Sequence, residues 1–260
     1  MGLILAKRVV REHPNGFVGA IVEGRRGVGK SSYCIKVMKE VYQTMYDLSD
    51  KEAYQMALDH ILFDLDDVIP FLKKASMGKK PVPIVTWDDA GVHGSNLRWF
   101  TNMHQVEMLK GLTDTIRTGV TGFIINCPDR EGLLRALRNY NDLIVSIVKA
   151  GGGGGKQYQN YSRIGRGYTM FKLPSGTKRI YKSYEDEFSC YIPKYFYEQY
   201  MEKRKKYFKK AVEAMEEWQE KVQKENKFKK EKKKLSIIEH EIRKKRLTDK
   251  VDKIKDENKF

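Results

Sequence analysis

Gly24-Arg25-Arg26-Gly27-Val28-Gly29-Lys30-Ser31 is the stretch on which the reading of this chain turns. It matches G-x-x-x-x-G-K-[ST] at every fixed position. Glycines let the backbone curl with its N–H groups turned inward, the geometry that wraps a polyphosphate, and a helix N-terminus behind them adds a favourable dipole. Lys30 then supplies a mobile point charge for the β and γ phosphates, and the Ser31 hydroxyl an oxygen for the Mg²⁺ shell. Arg25, Arg26, Val28 and Ser32 complete the candidate cradle. Composition alone would produce the four fixed positions in roughly 1% of chains this long, so an ordinary glycine turn is the weaker explanation.

Working outward, Phe17–Val22 is an apolar run that predicts a strand buried on both faces, as in a parallel sheet. A helix is expected from about Lys30 to Tyr46, and Ser49 with Glu52 three residues on is a capping-box signature for another over 50–59. Residues 3–12 read as a short helix or strand. Further strands are expected at 61–63, 83–87, 122–126 and 143–148, with helices near 64–74, 96–117 and 130–139 between them. Strands alternating with helices imply an α/β fold with a mainly parallel sheet. Five glycines at 151–155 mark a break. Pro174-Ser175-Gly176 then sits between two strand-like runs, which predicts a β-hairpin. The expected organisation is a core over 1–150, a glycine-rich break and hairpin over 151–192, and a long basic helical tail over 193–260.

A polyphosphate loop needs a metal partner. Val82-Pro83-Ile84-Val85-Thr86-Trp87-Asp88-Asp89 ends an apolar strand in two acids, 58 residues after Lys30. In that arrangement Asp88 would hold Mg²⁺ through water, beside Ser31, and Asp89 would orient or deprotonate the attacking water. The alternative is a pair of surface acids. Asn126, closing the strand before it, would lie at the carboxyl edge of the sheet, where ligands of α/β folds bind. It reads equally as a water-holding or γ-phosphate-sensing residue and as a turn asparagine. No N-K-x-D element follows the loop, which disfavours GTP and leaves ATP.

The composition excludes several other classes. With 50 Lys and Arg against 34 Asp and Glu, the 260-residue chain carries +16, and 40% hydrophobic residues suffice for a buried core. No apolar run approaches the roughly 18 residues of a membrane span, so no integral membrane association is expected. Cys34, Cys127 and Cys190 are scattered, which fits a reducing compartment such as the cytoplasm. The last 60 residues hold 22 Lys and Arg against 13 Asp and Glu. Ala211, Met215, Trp218 and Val222 are spaced to dock one helix face, and the remaining charge is either solvated or a nucleic-acid contact.

The loop, the Trp87-Asp88-Asp89-Ala90-Gly91 strand end and Asn126, in this order, resemble the P-loop ATPases with an additional strand and a catalytic acid, the AAA+/RecA-like group. Within it His60-Ile61-Leu62-Phe63 with the acids that follow, and Ile84-Val85-Thr86-Trp87-Asp88-Asp89-Ala90-Gly91, are similar to the DnaA-like ATPases of archaeal spindle-shaped viruses and plasmids, the resemblance covering about residues 15–148. The resemblance implies a P-loop NTPase three-layer sandwich, ATP and Mg²⁺ as cofactors, a homo-oligomer, and a role in viral or plasmid DNA replication, remodelling or packaging in the host cytoplasm. It also implies an arginine finger reaching a neighbouring subunit's γ-phosphate, for which Arg138 and Arg117 compete with a plain salt-bridge role. Asp89 stands where the group usually carries glutamate, one methylene longer.

DNA as partner rests on charge and on this resemblance. Residues 156–184 interleave Lys156, Arg163, Arg166, Lys172, Lys178, Arg179 and Lys182 with Tyr158, Tyr161, Tyr168, Phe171, Tyr181 and Tyr184. Cations suit phosphates and aromatic faces stack on unpaired bases, although alternate aromatics of a hairpin also face a core. The competing function is an ATP-binding switch or scaffold that docks a protein or membrane partner through the basic tail. A small-molecule kinase lacks a recognisable acceptor site.

Overall fold

The computed structural model describes residues 2–78, 80–90, 111, 115–133, 135–140, 143–150, 162–175, 177–213, 215–216, 219 and 222–223. The chain divides into two units, 1–204 and 205–260. In the first, α1 (Ile4–Glu12) precedes β1 (Val18–Glu23), α2 (Lys30–Tyr46), α3 (Asp50–Asp59), β2 (Ile61–Leu62), α4 (Leu65–Ser76) and β3 (Val82–Trp87). A 3₁₀ turn at Ile116–Thr118 leads into β4 (Val120–Asn126). After a second such turn at Arg130–Gly132 come α5 (Arg135–Tyr140), β5 (Leu143–Lys149), β6 (Ser162–Lys172) and β7 (Lys178–Ser189). Helix α6 covers 194–204. In the second unit, residues 205–213 are helical, with Ala211 buried and Met215 half exposed; Trp218 and residues 224–260 lie outside the described residues.

Seven strands form one sheet in the order β2-β3-β4-β1-β5-β6-β7. The first five run parallel and the β6–β7 hairpin is antiparallel. The alternating elements expected from the sequence are therefore present, and residues 3–12 are a helix rather than a strand. The helix anticipated at 96–117 falls mostly outside the described residues, and its last residues form the 3₁₀ turn. The single helix expected at 130–139 is a 3₁₀ turn followed by six α-helical residues.

Parallel strands covered on both faces must be apolar on both faces, and β1 and β4 are. Alternation sorts their side chains into two layers. Ile21, Val85, Trp87, Phe123 and Ile125 pack with Val68, Leu72 and Ala75 of α4 and Leu137 of α5. The opposite face receives α1 and α2. There Gly122 leaves the room that Val9 of α1 fills, since a Cβ on it would stand 2.9 Å from the Val9 Cγ1. The Ser49–Glu52 capping box is formed, starting α3 where the sequence places it.

The α1 N-terminus ties the hairpin to this core. Asp186 of β7 is buried and accepts from Ile4 N (2.7 Å), Leu5 N (3.4 Å) and Tyr33 Oη (2.6 Å), while Glu40 of α2 accepts from Leu3 N at 2.6 Å. Asp186→Ala would take the acceptor from three donors, two of them buried and one half-buried, at about 1 kcal/mol each. The expected result is a loss of about 3 kcal/mol in urea unfolding. A loss below 1 kcal/mol would mean that the apolar face of α1, Leu5 and Val9, holds it alone.

Candidate functional site

Three sequence segments meet at the carboxyl edge of the sheet. β1 ends at Glu23, and Gly24, Gly27 and Gly29 take φ of 146°, 74° and 108°. A Cβ at Gly24 would sit 2.9 Å from the Ile147 carbonyl, so both backbone angle and space demand glycine there. Helix α2 begins at Lys30 with no side-chain cap on its N-terminus. Lys30 is buried, and its Nζ donates to the carbonyls of Gly24 (2.9 Å) and Arg25 (3.1 Å). Burial pulls its pKa down, opposed chiefly by the charge of Asp89.

The sheet order carries the acids to this loop. β4 lies between β1 and β3, so Asn126 and Asp88, at the ends of β4 and β3, line up beside Ser31 at the start of α2. Ser31 Oγ donates to Asp88 Oδ1 at 3.1 Å, and Asn126 Nδ2 donates to the same oxygen and reaches Ser31 Oγ at 3.1 Å. Asp88 is 1% exposed. Burial raises its pKa, reinforced by the neighbouring Asp89 charge and opposed by the hydrogen bonds from Tyr200 and Asn126. Asp89 follows in the left-handed region at φ 51°, which aspartate tolerates better than most residues.

The donor set suits a hard cation with a polyphosphate. Ser31 and Asp88 offer oxygen ligands, and Lys30 offers the countercharge. Buried Asn126 Oδ1 has no hydrogen-bond partner among the described residues, an acceptor suited to a water. Among the described residues no group of three His, Cys, Asp or Glu forms a metal cluster.

Arg138 is not brought to the loop. It is half-buried and ion-paired with Glu131, which also pairs with Arg130, and Arg130 lies 3.8 Å from Glu23. Arg117 is exposed on the 3₁₀ turn before β4.

Three contributors lie outside the motifs. Arg163 of β6 is buried and donates through Nε to the Val28 carbonyl at 2.7 Å, bracing the loop from the hairpin side. Tyr200 Oη donates to Asp88 Oδ2 at 2.5 Å, and Arg204 pairs with Asp89 Oδ2 at 2.5 Å. Their four-residue spacing was the one available signal, and it names no target.

The aromatic and basic run of 156–184 is divided by the structure. Arg163 and Tyr184 belong to the interior, and Arg166 and Lys182 both pair with Glu185. Phe171, Arg179 and Tyr181 remain exposed towards the hairpin tip, Phe171 and Tyr181 edge to face at 5.9 Å. Lys156, Tyr158 and Tyr161 lie outside the described residues.

A mainly parallel α/β sheet thus carries, at its carboxyl edge, a glycine-rich strand-to-helix loop that faces a Ser–Asp–Asn cluster. No family model matches the chain. It is similar to Uncharacterized protein B-251 of Sulfolobus spindle-shape virus 1, 29% identical over 219 residues that make up 83% of this chain and 85% of that one. A shorter similarity, 29% over 114 residues, joins 44% of this chain to 37% of ORF286 of Acidianus two-tailed virus. Among solved structures, the genome packaging NTPase B204 of Sulfolobus turreted icosahedral virus 2, in complex with ATPγS, aligns with 64% of this chain and 97% of its own at 13% identity and TM-score 0.39. No described helix is long and apolar enough to cross a membrane.

Proposed function

We propose that this protein binds ATP with Mg²⁺ at Gly24–Ser32 and hydrolyses it, and that the turnover serves an operation on DNA. The observation that carries the reading is the convergence of Ser31, Asp88 and Asn126, three elements distant in sequence, within hydrogen-bond reach of one another at the α2 N-terminus. Lys30 binds the β and γ phosphates, Ser31 and Asp88 hold the metal, Asp89 orients the attacking water and Asn126 accepts from it. A Mg²⁺ held by Ser31 and Asp88 would supply charge neutralisation at the phosphates. The strand interposed between β1 and β3, together with Asp89, supports membership of the additional-strand group. An arginine finger in a homo-oligomer would come from Arg138 after release from Glu131, or from exposed Arg117.

DNA is supported by charge. Residues 205–260 hold 20 Lys and Arg against 12 Asp and Glu, a net of +8 outside the nucleotide-binding unit. The similarity to a spindle-shaped virus protein supports a viral or plasmid setting, with replication, remodelling or packaging in the host cytoplasm as the step served. The test is ATPase activity with and without single- and double-stranded DNA, together with DNA titrations of the full chain and a version ending at Arg204 at several salt concentrations. Stimulation by DNA is expected. The shortened chain should bind DNA more weakly, its log–log salt slope flatter by about 0.9 per lost phosphate contact on duplex or 0.7 on single strands. An unchanged slope together with DNA-independent turnover would move the basic segment to a protein or membrane partner.

A further inference from the structure

Both acids of the site are gripped by one face of one helix. Tyr200 and Arg204 stand four residues apart on α6, hence one above the other, and meet Asp88 and Asp89 respectively. The helix is seated independently of these contacts. Phe196 is buried against Tyr54 at 5.1 Å and stacks on Tyr200, and Lys203 Nζ donates to the carbonyls of Leu58 (3.0 Å) and Ile61 (2.8 Å). Asp88 spends Oδ1 on Ser31, Asn126 and the Asp89 N–H, which leaves Oδ2 as its other oxygen, and Tyr200 takes it. Asp89 Oδ2 is engaged by a guanidinium. A metal-bound water and an attacking water call for these same oxygens, so the helix and the reaction compete for them.

We propose that α6 is a reversible latch on the acid pair: Tyr200 and Arg204 hold Asp88 and Asp89 back from Mg²⁺-ATP, and hydrolysis proceeds when they let go. The latch rests on the ATP-site reading above. Its two contacts differ in strength. The side chains of Arg204 and Asp89 are 42% and 34% exposed, so that pair is screened and exchanges readily, whereas the Tyr200 contact is buried and charge-assisted. Release therefore starts at Arg204 and frees the water-orienting acid first. A ligand that binds better when the acids are free shifts the helix towards the released state.

The test compares full-length wild type, Tyr200→Phe and Arg204→Gln, the first substitution removing only a hydroxyl and keeping the ring stack. Three quantities are read: the Mg²⁺ concentration needed for half-maximal ATP binding, turnover, and amide hydrogen exchange of residues 196–204. Arg204→Gln is expected to turn over ATP about three- to tenfold faster, and Tyr200→Phe to need about three- to tenfold less Mg²⁺. In wild type, Mg²⁺ with ATPγS should speed exchange at 196–204. Slower turnover in both variants with an unchanged Mg²⁺ requirement would make these positioning residues and overturn the latch, as would exchange indifferent to nucleotide. If wild type binds no ATP, the site reading falls and the latch with it. If wild type binds Mg²⁺-ATP and only the variants depart from expectation, the latch alone falls.

Discussion

Lys30→Ala is expected to weaken ATP binding a hundredfold or more while leaving the protein folded. The ammonium sits at the loop, and its hydrogen-bond partners among the described residues, the carbonyls of Gly24 and Arg25, belong to the loop itself. Its hydrogen bonds thus stay within the loop and do not tie one core element to another. Truncating one member of a buried charged pair typically costs about 2–5 kcal/mol of binding, and 2.7 kcal/mol is already about a hundredfold. Stability should move little, because the two lost hydrogen bonds are offset by relief of the burial that lowers the amine's pKa. A fluorescent-ATP titration beside thermal unfolding reads both quantities. Wild-type affinity in a folded variant would remove Gly24–Ser32 from the nucleotide site.

The second large effect separates the two acids. Asp88→Asn should raise the Mg²⁺ requirement for ATP binding at least about tenfold and abolish turnover, because a neutral amide is a poor partner for the metal and puts an N–H donor either where Ser31 and Asn126 need an acceptor or where Tyr200 does. Asp89→Asn should leave ATP affinity within about threefold of wild type and cut turnover by about 10²–10⁴, the range for removing a general base. Its loss of the half-exposed Arg204 pair should cost about 1 kcal/mol of stability or less. Measuring Kd against Mg²⁺ and single-turnover rates for both variants makes the comparison. Indistinguishable behaviour would refute the division into a metal acid and a water acid.

The legible parts of this protein are those whose signal is local. A left-handed or crowded glycine, a capping box, or an apolar run closed by acids each needs only a few neighbouring residues to be recognised. Gly24, Ser49 with Glu52, and Val82–Asp89 therefore read correctly as loop, helix start and strand end. Asn126 was ambiguous for the opposite reason. A strand-ending asparagine looks like a turn residue until the register of β4 against β1 and β3 sets it against Asp88. Arg163 and Tyr184 illustrate the same limit in reverse. A basic and aromatic run suggests a polyanion surface, yet the pleat of the hairpin sends alternate residues inward, where Arg163 finds the Val28 carbonyl and Tyr184 is buried beneath the Arg8 guanidinium.

By itself, then, the amino-acid sequence determined the α/β alternation, the glycine-rich turn after β1 and the strand that runs into two acids, because backbone conformation and hydrophobic period are set by neighbours within a turn or a strand. Only the tertiary structure decided what Asp88 and Asp89 touch. Sheet order brings Asn126 to Ser31, and the packing of Phe196 and Lys203 lays α6 over the end of β3, so that Tyr200 and Arg204 close on acids more than a hundred residues earlier. Hydrogen bonds of 2.5 Å depend on where whole elements are docked, and docking is a property of the assembled core that no local pattern encodes.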